Sequence, residues 1–142
     1  MVEPLLSVRN LTVEFTIRDG VVPVVASLGL GAHAQYYNIN ADDLAAAIAI
    51  SMKADRLIYI SDTDGVRDRK RRRIPVIAEQ EIEKLVRQKV VTEGMVPKLR
   101  SCARTLKRNV SEIQILGAQK TNALWHSIVR GEKLGTRIVQ KP

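Results

Sequence analysis

The sequence predicts an α/β fold, a mostly parallel sheet with flanking helices. After residue 20, short runs of Val, Ile and Leu alternate with longer stretches of helical periodicity. A polar cluster, Ser61-Asp62-Thr63-Asp64-Gly65, follows one such run, where the carboxyl end of a parallel strand meets its ligand. The 142 residues suffice for one domain with a real core.

Taken in order, residues 5–17 show β-branched alternation at Val8, Leu11, Val13 and Phe15, then a turn at Asp19-Gly20. An edge hairpin or one long strand is expected there. Residues 21–26 read as a buried strand with Pro23 near its start. Residues 42–52 read as a helix whose inner face is Leu44, Ala47, Ile48 and Met52. Residues 56–60 form the next strand. Residues 79–91 read as an amphipathic helix through Ile82, Leu85 and Val86. Pro97 opens another, since proline suits a first turn, with Leu99, Cys102, Ala103 and Leu106 inward. Residues 112–116 read as a strand, 121–129 as a helix with Leu124 and Ile128 inward, and 136–139 as the last strand.

Composition narrows the class. Hydrophobic residues make up 45% and aromatics only 4%, so the core must be mostly aliphatic. No apolar run reaches the ~18 residues that a membrane-spanning helix needs. Glu3 and Arg9 interrupt the start, so a signal peptide is not expected. One cysteine, Cys102, excludes an internal disulfide and fits a cytoplasmic protein. It falls on the apolar face of a helix, and His33 and His126 lack metal-ligand spacing with it; no metal site is expected. The formal charge is +8, but residues 67–73 alone contribute +5, leaving +3 elsewhere. That is a basic loop rather than a basic body, and no aromatics interleave, so nucleic acid is not the favoured partner.

Three polar constellations stand out. Asn38, Asn40 and Asp42 precede an alanine-rich helix. Asn40 or Asp42 can cap it, and a charged substrate could equally be held at such a helix start. Ser61, Asp62, Thr63, Asp64 and Gly65 form either a ligand-facing loop or a polar turn with Gly65 at positive φ. Gly94, Met95, Val96, Pro97 and Lys98 open a helix. A lysine there opposes the helix dipole, a local conflict that a phosphate ligand would resolve.

Several segments carry a family likeness: VPVVASLG at 22–29, YNINADDLAAAIA at 37–49, KADRLIYISDTDGV at 53–66, EGMVPKLRSC at 93–102, and Gly135-Thr136. In order and spacing these resemble the C-terminal, nucleotide-binding half of acetylglutamate kinases, in the amino acid kinase family. The likeness covers about 120 of the 142 residues. It implies ATP and Mg2+ as cofactors, and phosphorylation of the side-chain carboxylate of N-acetyl-L-glutamate in arginine biosynthesis. By the same motifs, Asn38 contacts the acetylated amino acid, with Asn40 beside it, and Asp42 orients the catalytic lysines. Lys98 pairs with the phosphates, and the Ser61 to Gly65 loop flanks the nucleotide with Gly94 and Met95.

The departures matter as much. Family members carry a glycine-rich phosphate loop, preceded by a lysine, in an N-terminal half. Here no Gly-Gly pair occurs, and Glu93 stands where the family often has glycine. The first twenty residues resemble the start of ABC-transporter ATPases (L-x-V-x-N-L-x-V-x-F from Leu6 to Phe15), yet no GxxxxGK[ST] loop occurs in the chain. The expectation is therefore a divergent strand or extension over 1–20 and a nucleotide-binding domain over 21–142. Alone it would have little or no turnover, with an N-terminal half or a second copy as partner. The competing expectation is a non-catalytic binding or regulatory module, or an engineered or truncated piece, with a basic loop that takes polyanions.

Overall fold

The computed structural model describes residues 14–17, 20–91 and 94–141. The chain divides into two compact units, residues 1–44 and 45–142. The ABC-like stretch before Glu14, and Glu93, lie outside the described residues.

In the first unit, β1 (Glu14–Ile17) and β2 (Gly20–Pro23) pair antiparallel, with Ile17 opposite Gly20. Of the alternating stretch, residues 14–17 form one arm of a hairpin, and the rest lies outside the described residues. A second hairpin, not foreseen, pairs β3 (Leu28–Leu30) with β4 (Tyr36–Asn38). Its strands are only three residues each, too short for periodicity to show. The helix α1 (Ala41–Ser51) starts in this unit, and the division between units falls within it. Along α1 the buried positions are Leu44, Ala46 and Ala49, whereas Ala47 and Met52 are exposed. Two of the four expected anchors are thus wrong: Met52 lies beyond the last helical residue, and Ala47 sits on the solvent side of the helix.

The second unit is built on a four-stranded sheet in the order β5-β7-β8-β6. Its strands are β5 (Arg56–Ser61), β6 (Val76–Ala78), β7 (Glu112–Gly117) and β8 (Thr136–Val139). The pairs β5/β7 and β6/β8 are parallel and β7/β8 is antiparallel. Three residues of β6 after Pro75 gave no sequence signal. The expected helix over 79–91 is shorter: a single 3-10 turn at Glu79–Glu81 leads into α2 (Ile82–Arg87). Lys89 adopts φ 50, which ends helical geometry and drops Val91 into the core.

The central strand β7 is buried from Glu112 to Leu116, as a strand covered on both faces must be. Ile113 and Ile115 face α3 (Met95–Leu106), whose Leu99, Cys102 and Leu106 are fully buried with them. Their i, i+3, i+7 spacing makes one stripe. Each such side chain contributes roughly 1.5–3 kcal/mol by leaving water. Cys102 is a core thiol, as the sequence predicted. The other face of β7 carries Gln114, whose Oε1 accepts from Ser127 Oγ at 2.9 Å and whose Nε2 donates to Leu134 O at 2.8 Å. Ser127 belongs to α4 (Ala123–Ile128).

That contact explains a second correction. Only the small residues Ala123 and Ser127 of α4 are buried, while Leu124 and Ile128 are 47% and 55% exposed. The helix lies close against the sheet through small side chains, so the large ones point away. At the start of β7, Glu112 ties its two neighbours β5 and β8 together. Arg137 Nε donates to its Oε2 at 2.8 Å, and Arg56 Nε lies 2.9 Å from Oε1 as an ion pair. No helix among the described residues is long and apolar enough to cross a membrane.

Candidate functional site

In the second unit, β5 ends at Ser61 and the chain turns through Asp62, Thr63 and Asp64 to Gly65. Ser61 Oγ donates to Asp62 Oδ1 at 3.0 Å, and Arg67 Nε donates to Asp64 Oδ1 at 3.0 Å. Gly65 has φ 130, and a Cβ there would stand 2.6 Å from Thr136 Oγ1 and 3.0 Å from Thr136 N. Positive φ and a close approach both demand glycine at this turn, as the sequence predicted.

Lys98 lies in the first turn of α3, after Gly94 and Met95. Gly94 supplies no side-chain cap, so first-turn N–H groups point outward without a side-chain acceptor from that position. Lys98 Nζ stands 4.5 Å above the centre of the Tyr59 ring. Tyr59 is buried in β5, two residues before Ser61. The ring thereby fixes the ammonium beside the carboxyl end of β5, through its attraction to a positive charge. A slot of about 90 Å³ ties the same two loops together, lined by Thr63, Gly65, Val66, Arg67, Val91 and Met95. Of the residues singled out from sequence, Ser61 to Gly65, Met95 and Lys98 thus converge on one rim. Tyr59, Arg67 and Val91 were missed. Tyr59 and Val91 read as ordinary core, and Arg67 was hidden in a run of like charges.

A larger cavity of about 470 Å³ lies farther along that rim, between Asp64, Arg73, Gly117, Lys120, Leu134 and Gly135. Glu132 bridges Lys120 (2.9 Å) and His126 Nδ1 (2.6 Å) nearby. The Lys120 ammonium first, and His126 after it, hold the Glu132 carboxyl below the usual carboxylate range.

Asn38, Asn40 and Asp42 fall in the first unit. Asn38 ends β4, Asn40 precedes α1, and Asp42 is its second residue. Asn40 Oδ1 accepts from the N–H groups of Asp42 (2.9 Å) and Asp43 (3.2 Å). Asn40, not Asp42, is therefore the cap, an interaction whose loss typically costs about 1 kcal/mol. Within this unit a cavity of about 630 Å³ adjoins the segment, walled by Leu30, Tyr37, Ile39 and Leu44, with Asp43 as its carboxylate.

No group of three or more His, Cys, Asp or Glu positioned to hold a metal occurs among the described residues. A divalent ion here would rest on phosphate oxygens and water more than on a protein cage, which is how Mg2+ is commonly held.

A sheet with its polar loops gathered at the carboxyl ends of β5 and β7 defines an α/β domain of the kind that holds ligands at that edge. The model of the Amino acid kinase family matches residues 2–117, and the chain belongs to that family. It is 33% identical to acetylglutamate kinase of Chlorobaculum tepidum, over 99% of this chain and 49% of the relative. It is 37% identical to acetylglutamate kinase of Aquifex aeolicus, over 82% of this chain and 39% of the relative. Among solved structures it resembles N-acetylglutamate synthase from Neisseria gonorrhoeae complexed with coenzyme A and L-arginine. That likeness has a TM-score of 0.75 at 22% identity, covering 81% of this chain and 27% of the other, and concerns the fold. The chain spans about half the length of the curated relatives it matches.

Proposed function

We propose that the second unit holds the phosphates of ATP at the rim of β5 and α3, as the nucleotide-binding part of an acetylglutamate kinase. The observation that carries this reading is Lys98, whose ammonium sits over Tyr59 within the first turn of α3 and beside the end of β5. Phosphoryl transfer asks little covalent chemistry of a protein, but it needs fixed positive charge where phosphate oxygens lie. Lys98 and the first-turn N–H groups supply that charge from a rigid element. The slot by Val66, Val91 and Met95, at about 90 Å³, is too small to enclose the base and at most receives one of its edges.

In the reaction so assigned, a side-chain carboxylate oxygen of N-acetyl-L-glutamate attacks the γ-phosphorus. The bond from that phosphorus to the bridging β–γ oxygen breaks, leaving ADP and an acyl phosphate. Mg2+ when bound would neutralise phosphate charge, and the loop carboxylates of Asp62 and Asp64 would be the groups to hold its hydration shell. Asn38 and Asp42 take the roles their motif implies: contact to the acetylated amino acid and organisation of the charged groups. These 142 residues carry no Gly-Gly pair to build a second phosphate loop, so the chain alone should bind nucleotide weakly and turn over little.

Calorimetric titration with MgATP, with and without N-acetylglutamate, tests the reading. The Lys98→Ala variant should bind about 10- to 150-fold more weakly, the loss of a charge-assisted contact of about 1.5–3 kcal/mol. Equal affinity in parent and variant removes the nucleotide assignment. Acyl phosphate can be trapped as its hydroxamate, and robust formation by the chain alone overturns its expected inactivity.

A further inference from the structure

Residues 64–91 hold nine cationic side chains against five carboxylates, a net of +4 and half of the chain's +8. In sequence the basic loop stood by itself. The fold gives it company. Asp68 Oδ1 accepts from the N–H groups of Lys70 and Arg72, each at 2.8 Å, and Arg67 bridges Arg73 across the base of the loop. The Arg72 N–H, then the Arg72 guanidinium and the Lys70 N–H, hold the Asp68 carboxyl below its ordinary range. The result is a clamped turn with Lys70 and Arg71 at its tip. The Arg69 guanidinium donates to Gln88 O, just past the last turn of α2, and so fixes the loop beside the cations of that helix end.

The carboxylates of this region are already occupied. Asp64 pairs with Arg67, Asp68 with Arg72, Glu79 with Lys107 and Glu83 with Arg100, while Glu81 accepts from the Ala78 N–H. Seven exposed cations remain without a carboxylate ion pair among the described residues: Arg69, Lys70, Arg71, Arg73, Lys84, Arg87 and Lys89; Arg73 is turned to the carbonyls of Lys133 and Gly135, which leaves six for a ligand. The surface that carries them has no exposed aromatic, and Val76 is its one exposed large hydrophobic residue.

That combination selects among polyanions. Stable attachment to a lipid surface takes an apolar anchor besides basic charge. Protein partners draw their affinity from buried aromatic and aliphatic centres. Single strands stack their bases on aromatic rings. The phosphate backbone of a duplex requires none of these, only an array of cations that displaces its condensed counterions. We propose that the tip of this turn, residues 69–71, and the end of α2 form a sequence-independent docking surface for duplex nucleic acid, one that uses neither Lys98 nor Arg67.

The test is fluorescence anisotropy of end-labelled DNA and RNA duplexes of about 20 base pairs, titrated with the chain from about 20 to 300 mM salt. The logarithm of the dissociation constant should rise with that of salt with a slope of about 3–5, for up to six neutralised phosphates. The triple variant Lys70→Gln, Arg71→Gln, Lys89→Gln should lose about 2–3 units of that slope. A variant of equal net charge, Lys53→Gln, Arg108→Gln, Lys141→Gln, should keep it. Absence of binding at the lowest salt, or equal slopes for the two variants, overturns the proposal. So does binding of polyglutamate as tight as that of the duplex, which would make the surface one for acidic peptides. The parent's own salt slope decides the matter even if a variant folds poorly, and a MgATP titration of the triple variant keeps this surface separate from the nucleotide reading.

Discussion

Replacing Gly135 with alanine should destabilise the protein by about 2–5 kcal/mol. Gly135 has φ 65, where an L side chain meets its own backbone, at a cost of about 1–2 kcal/mol. The larger effect is contact. A Cβ at this position would stand 2.0 Å from Ile115 O and 2.9 Å from the Ile115 carbonyl carbon. Ile115 lies on β7, fully buried at the centre of the sheet, so neither atom can yield without moving the core. Forcing such a shift in a packed interior typically costs about 1–3 kcal/mol more. Denaturant unfolding at constant slope reads the change directly. A loss below about 1 kcal/mol would mean that β8 can slide away from β7, and the account of this turn would be wrong.

The neighbouring residue gives the second large effect. Thr136 is fully buried, and its hydroxyl donates to Ile74 O at 2.7 Å and accepts from Val66 N–H at 2.8 Å. One oxygen thus pins both ends of the basic turn to the start of β8. Thr136→Val preserves shape and removes both bonds, stranding a buried donor and a buried acceptor. Each stranded group costs about 1–3 kcal/mol, so the variant should lose about 2–6 kcal/mol in all. Thr136→Ser restores the hydroxyl and should recover most of the loss. Hydrogen exchange supplies an independent reading, since the Val66 amide should lose protection in the valine variant and keep it in the serine one. Equal stability of the valine and serine variants would show that the hydroxyl is replaceable by packing.

What the sequence made legible follows from length and burial. Residues 56–60 and 112–116 were readable as strands because Leu57, Ile58 and Ile60 crowd one short segment and Ile113 and Ile115 alternate with Glu112 and Gln114 in the other, which proved to be an interior strand. The strands at 28–30, 36–38 and 76–78 were not, since three residues show no period. Helical faces were misread where small residues do the packing. Ala46, Ala49, Ala123 and Ser127 are buried because they permit close approach, whereas hydrophobicity pointed to Met52, Leu124 and Ile128. In the candidate site, Lys98 was legible from its conflict with the helix dipole and Gly65 from turn chemistry. Tyr59 was not, because its value lies in a contact with a residue 39 positions away. The basic turn was visible as charge, but its clamping by Asp68 and its junction with α2 arise only on folding.

The reversal of β8 and β6 against β5 and β7 has a further meaning. Because β8 runs against β7, Thr136 sits opposite Ile115, and the beginning of one strand lies at the edge where the other two finish. Segments from four separate stretches, following β5, opening α3, following β7 and preceding β8, therefore share one rim. Insertions or substitutions in any of them can alter what the rim grips while the ladder beneath keeps its register. The framework and the vocabulary of recognition are thus inherited separately, and one can drift without rewriting the other.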